Sequence, residues 1–178
     1  MIDFTKSKQY TLSIRLSTDG FSFSIYNPIH DDSLSIIEKE INASSSLTAN
    51  LKTLFHESDF LNHPYKRVNI MMAGKRFTIA PLELFEEEQA ELLFYHNHQK
   101  KENETVLYNI LRKNNVAVIF GIDKSAQTFL NEQYPEARFY SQSTPFIDYF
   151  SVKSRLGNSK KMYASVRKDG IDLSLIHI

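Results

Sequence analysis

The sequence predicts a mixed α/β protein, and three observations carry that prediction. Apolar residues alternate with period two in some segments and recur with a period near 3.6 in others, as half-buried strands and amphipathic helices require. The chain opens on a strand pair, YTLSIRLSTDGFSFSIYN, joined by a tight Asp-Gly turn. A shortened echo of that pair returns near residue 165, as if one α/β unit were beginning again.

In the opening pair Leu12, Ile14 and Leu16 share one face, and Phe21, Phe23 and Ile25 share the matching face of the return strand. Thr18-Asp19-Gly20 makes the turn, because glycine tolerates positive φ. A third strand is expected over 34–41. SSSLTANLKTLFHES then reads as a helix capped near Ser45, with Leu47, Leu51, Leu54 and Phe55 on one side. RVNIMMA is a buried strand, which Gly74-Lys75 is expected to turn into a further strand, RFTIA.

PLELFEEEQAELLFYHNH is expected to be one helix, with proline in its first turn and Leu82, Phe85, Leu92 and Leu93 on its apolar side. VLYNIL and VAVIFGI form a second hairpin about Lys113-Asn114-Asn115. Asp123 caps a helix that ends before Pro135, and ARFYS is a short strand. TPFIDYFSVKSRL follows as a helix with Phe146, Tyr149 and Phe150 toward the core, closed by Gly157.

Composition limits the function. The 178 residues, 42% hydrophobic and 24% charged, suffice for a core. Twenty-one basic against 21 acidic residues leave no net field to recruit nucleic acid or a membrane surface. The chain has no cysteine, which excludes disulfides, thiolate zinc sites and cysteine nucleophiles and fits a reducing compartment. No apolar run approaches the roughly 18 residues of a membrane span, and MIDFTKSKQY lacks the apolar centre of a signal peptide. A cytoplasmic protein is expected.

The echo is specific in its order. Ser13-Ile14-Arg15 before Asp19-Gly20-Phe21 is matched by Ser165-Val166-Arg167 before Asp169-Gly170-Ile171. Residues 1–158 are therefore expected to form a first subdomain, and 159–172 the first hairpin of a second, truncated one. The closing LSLIHI coincides with the in-frame translation of a transposon end used in preparing sequencing libraries. Residues 173–178 are accordingly expected to be non-native read-through, with the native sequence stopping near Asp172.

The segments LSIRLSTDGFSFSIYN and KSRLGNSKKMYASVRKDGIDL, and the order of elements between them, resemble an uncharacterised bacterial family, domain of unknown function 3822, found chiefly in Bacteroidota. The resemblance implies a chain longer than this one and the fold of the actin-like ATPases, a duplicated RNase H-like α/β subdomain whose hairpins can wrap phosphates. It also implies a comparison. Active members of that superfamily resemble an apolar-Asp-x-Gly-Ser/Thr pattern in the first strand, where the carboxylate organises hydrated Mg²⁺ and the glycine admits the phosphates. Here the matching run is Ile14-Arg15-Leu16-Ser17-Thr18: Arg15 stands for the carboxylate, Ser17 for the glycine, and Thr18 alone is kept.

The candidate site is thus a degenerate pair of phosphate hairpins, Arg15, Ser17, Thr18, Asp19 and Gly20 in the first and Lys168, Asp169 and Gly170 in the second, with no catalytic residue and no metal ligand. Rival motifs carry less. His96-Asn97-His98 lacks a third ligand at a metal-binding spacing and reads as a helix terminus. Glu86-Glu87-Glu88 reads as a solvated face, Lys100-Lys101 and Lys160-Lys161 are too short for a nucleic-acid stripe, and no Gly-x-Ser-x-Gly elbow is present. The expectation is a non-catalytic binding or scaffold module without a cofactor, its partner a protein. The alternatives are an ATP-binding or phosphotransfer protein, with ATP and Mg²⁺ at a diverged site of Ser17, Thr18 and Lys168, and an RNA-associated factor.

Overall fold

The computed structural model describes residues 2–29, 34–154, 161–167 and 170–176, with side chains described as far as Lys153. The predicted hairpin forms. β1 (Thr11–Ser17) pairs antiparallel with β2 (Gly20–Tyr26), Ser17 opposite Gly20, and every second residue of both strands is buried. β3 (Leu34–Lys39) extends this sheet on β2. On the other side β4 (Arg67–Met72) and then β8 (Arg138–Ser141) join parallel to β1, giving the order β3-β2-β1-β4-β8.

One face of the five-stranded sheet carries the main core. Helices α1 (Leu47–Glu57) and α3 (Lys124–Gln133) lay Leu51, Leu54, Phe55, Ala126 and Leu130 over Leu12, Ile14, Leu16, Phe21, Phe23 and Ile70. The cap of α1 is Ser46, one residue beyond the serine expected, whose Oγ accepts from the Ala49 amide at 3.2 Å. Asp123 caps α3 as predicted, accepting from the Ala126 amide at 2.8 Å.

A second sheet is inserted between β4 and β8. β7 (Val116–Asp123) lies between β5 (Phe77–Pro81) and β6 (Glu104–Leu111), antiparallel to both, and α2 (Ala90–Asn97) packs Ala90 and Phe94 against it. The bend at Gly74-Lys75 leads from β4 into the expected strand β5, and the two belong to different sheets. One expectation is corrected here. Residues 81–98 are not one helix: Pro81 ends β5 opposite Val116, and the Leu82 amide donates to the Asn115 carbonyl at 2.9 Å, which fastens the segment to the residue before β7. Two single 3₁₀ turns, Leu82–Leu84 and Glu87–Gln89, precede the shorter α2, and Leu92, expected on the apolar side, is 70% exposed.

After β8 the chain enters α4 (Ser143–Ser154), where Tyr149, expected in the core, is 57% exposed. The predicted stop at Gly157 lies outside the described residues. β9 (Lys161–Arg167) and β10 (Gly170–Ile176) form a two-stranded sheet of their own. Its register pairs Arg167 with Gly170 and Val166 with Ile171, as β1 and β2 pair Ser17 with Gly20 and Leu16 with Phe21. Among the described residues no helix is long and apolar enough to cross a membrane.

Candidate functional site

Three parallel strands, β1, β4 and β8, end side by side, and in open α/β sheets the crevice outside such carboxyl ends is where ligands bind. Backbone hydrogen bonds fasten the exits: the Ala73 amide donates to the Leu16 carbonyl at 2.8 Å and the Gln142 amide to the Met72 carbonyl at 2.9 Å. The β1–β2 turn stands beside them. It brings together Arg15, Ser17, Thr18, Asp19 and Gly20, the first of the two expected hairpins. Lys168 and Asp169 lie outside the described residues, and Gly170 begins β10 in the separate two-stranded sheet.

Arg15, Asp19 and Gly20 are already engaged by the fold. Arg15 points away from the core, between buried Ile14 and Leu16, and its Nη1 lies 3.8 Å from Asp19 Oδ1. With 27% and 42% of these side chains exposed the pair is weak, yet it sets the turn's one carboxylate against a cation. Gly20 is required for a local reason. Its φ is +148°, and a Cβ there would stand 3.0 Å from the Lys39 carbonyl oxygen of β3.

The first hairpin lacks the side chains that Mg²⁺-ATP, which the fold superfamily implies, would need there. The position for a metal-organising carboxylate holds a guanidinium, and the position for close phosphate approach carries the Ser17 side chain. At the other two strand exits stand the neutral Ala73 and Gly74 and, after β8, Gln142 and Ser143. Among the described residues no three His, Asp or Glu side chains gather as metal ligands. His98, at the end of α2, instead packs its ring 4.5 Å from that of Phe94 and hydrogen-bonds through Nε2 to the Phe77 carbonyl at 3.1 Å.

Sequence reasoning missed a partly buried polar junction behind the crevice. Asn109 of β6 donates through Nδ2 to the Phe139 carbonyl at 2.9 Å, while its Oδ1 accepts from the Ser141 amide at 3.0 Å and from Thr144 Oγ1 at 2.7 Å. One amide thus locks the inserted sheet to the end of β8 and the start of α4. Its signal is an amide interrupting the apolar run VLYNIL, together with the hydroxyl cluster SQSTP. A second missed feature is the fork of Arg76 on Glu104, at 2.8 and 2.6 Å. Glu104 is nearly buried, and the guanidinium lies over the Phe94 ring.

The opposite face of the five-stranded sheet is left uncovered over its middle strands by the described residues. A cavity of about 690 Å³ lies over it, with β1, β2 and β4 as its floor, Ile36 of β3 on one side and Pro145 and Phe146 of α4 on the other.

Residues 1–177 match the family described as "Protein of unknown function (DUF3822)". A solved structure from Bacteroides thetaiotaomicron, described as a protein with actin-like ATPase fold and unknown function, is 81% identical with a TM-score of 0.93. The alignment covers 99% of this chain and 68% of that one. Among curated proteins none matches. The architecture described above is that same actin-like ATPase fold, a mixed α/β fold built on the five-stranded sheet.

Proposed function

The chain belongs to the DUF3822 family of unknown function, and from that premise and the geometry of the first hairpin we propose that it is a cytoplasmic, non-catalytic binding or scaffold module, a pseudo-ATPase that engages a protein partner. The observation that carries the reading is the turn itself. Arg15, set against Asp19, stands where a metal-organising carboxylate would be needed, and Ser17 carries a side chain at the close-approach position. In this reading residues 1–158 are a first subdomain and 159–172 open a second, for which the equal registers of the two hairpins are the support.

A phosphotransfer reading has one observation in its favour: the hairpin turn and Thr18 lie at the carboxyl ends of parallel strands, where the fold places ligands. The experiment that separates the two restores the pattern. Arg15→Asp combined with Ser17→Gly is expected to yield no measurable ATP hydrolysis, because catalysis needs all phosphate and base contacts in place at once. Magnesium-dependent turnover in that double variant contradicts the binding-module reading.

A further inference from the structure

We propose that the open face of the five-stranded sheet is a docking groove for an amphipathic α-helix of a protein partner carrying acidic residues four apart, at i, i+4 and i+8. The inference rests on the binding-module reading and names its surface. The face away from the core bears Ser13 and Arg15 on β1, Ser22 and Ser24 on β2, Arg67, Asn69 and Met71 on β4, and Arg138 and Tyr140 on β8. The serines keep the floor low over the middle strands. Three strands about 4.8 Å apart make a floor about 10 Å wide, the diameter of a helix with its side chains.

Charge and register specify the occupant. Arg15, Arg67 and Arg138 line the groove against one carboxylate there, Asp148. Among the described residues neither Arg67 nor Arg138 has an ion-pair partner. In the parallel register Arg67 stands level with Thr11, Arg138 with Asn69 and so with Ser13, and Arg15 with Met71. The three cations therefore climb the sheet in two-residue steps of about 6.6 Å. Carboxylates four apart on a helix rise about 6 Å per step and match that ladder along the strand direction.

The walls favour a helix over a small anion. Ile36, 65% exposed, stands on one side and Phe146 on the other, and a lone phosphate would leave both uncovered. An extended peptide lying over a sheet face would find no partners for its own amides, whereas a helix satisfies them internally.

The test uses an 18-residue labelled helical peptide with three Glu four apart between Leu and Ala, and its counterpart with Lys at those three positions. The acidic peptide is expected to bind the intact protein at low salt, to weaken as salt rises, and to shift amide resonances of Ser13, Ser24 and Asn69. Arg67→Glu with Arg138→Glu, both at exposed positions, is expected to weaken it at least tenfold and to bind the Lys peptide instead. Ser24→Phe, which raises the floor, is expected to weaken the acidic peptide. Equal binding of the two peptides, or shifts confined to another surface, overturns the proposal. So does complete displacement by inorganic phosphate or ATP with the same amide shifts, which would make the groove a small-anion site. ATP hydrolysis is read separately: its appearance defeats the non-catalytic reading, whereas peptide failure without hydrolysis defeats the groove alone.

Discussion

At the scale of single residues, two glycines carry more of the fold than their size suggests. Gly20→Ala forces a side chain into a φ of +148° against the Lys39 carbonyl and is expected to destabilise the protein by about 1–3 kcal/mol, read as a lower urea midpoint at unchanged slope. Gly121 makes room for Glu104: a Cβ there would stand 2.8 Å from the Glu104 Cδ and 3.0 Å from Phe94 Cζ. Glu104 in turn holds the Arg76 guanidinium, and this hydrogen bonding keeps the Arg76 pKa above its ordinary value. Glu104→Ala leaves Arg76 without its fork and Phe94 beside a void, so a loss of about 2–4 kcal/mol is expected in chemical denaturation. Gly121→Ala is expected to disturb the same pair, and the two losses should not add, since both act on one contact.

At the scale of elements, the junctions matter most. Asn109 satisfies two backbone groups of β8 and one hydroxyl in the first turn of α4, in a partly buried setting. Asn109→Ala is expected to cost about 1–3 kcal/mol and to raise amide exchange in α4 and β8 before it does so in β1 and β2. The first hairpin was legible because its information is local: alternation sets the faces, and Asp19-Gly20 sets the turn. Which sheet a strand joins is not local. Gly74-Lys75 is the same signal whether RFTIA returns to β4 or leaves to pair with β7, and only Phe77 opposite Phe120 and Pro81 opposite Val116 decide it. The segment after Pro81 likewise carries helix formers, and the hydrogen bond from Leu82 to Asn115 overrides them. The candidate site shows the same division. Arg15 and Ser17 could be read as replacements from the strand pattern; for Asn109 only the amide interrupting VLYNIL and the hydroxyls of SQSTP were legible, and their pairing, like the Lys39 carbonyl beside Gly20, is a tertiary fact.

At the scale of the whole molecule, two phenols, buried Tyr134 and half-buried Tyr65, tie stability to pH. Tyr65 donates to the Phe60 carbonyl at 2.7 Å and Tyr134 to the Leu61 carbonyl at 2.6 Å. Burial raises both pKa values, that of Tyr65 to about 12. In the unfolded chain these protons leave near pH 10, whereas the folded protein retains them, so the contribution is full below pH 10 and is lost as pH rises from 10 through 12. Urea midpoints are expected to fall over that window, and Tyr65→Phe to make the fall shallower. The central claim is that a phosphate-gripping fold has given up its phosphate, and calorimetric titration of the intact protein with ATP, with and without Mg²⁺, measures that directly. The account predicts binding no tighter than about 100 μM, roughly −5.5 kcal/mol, and indifferent to the metal; tighter binding that depends on Mg²⁺ would contradict it.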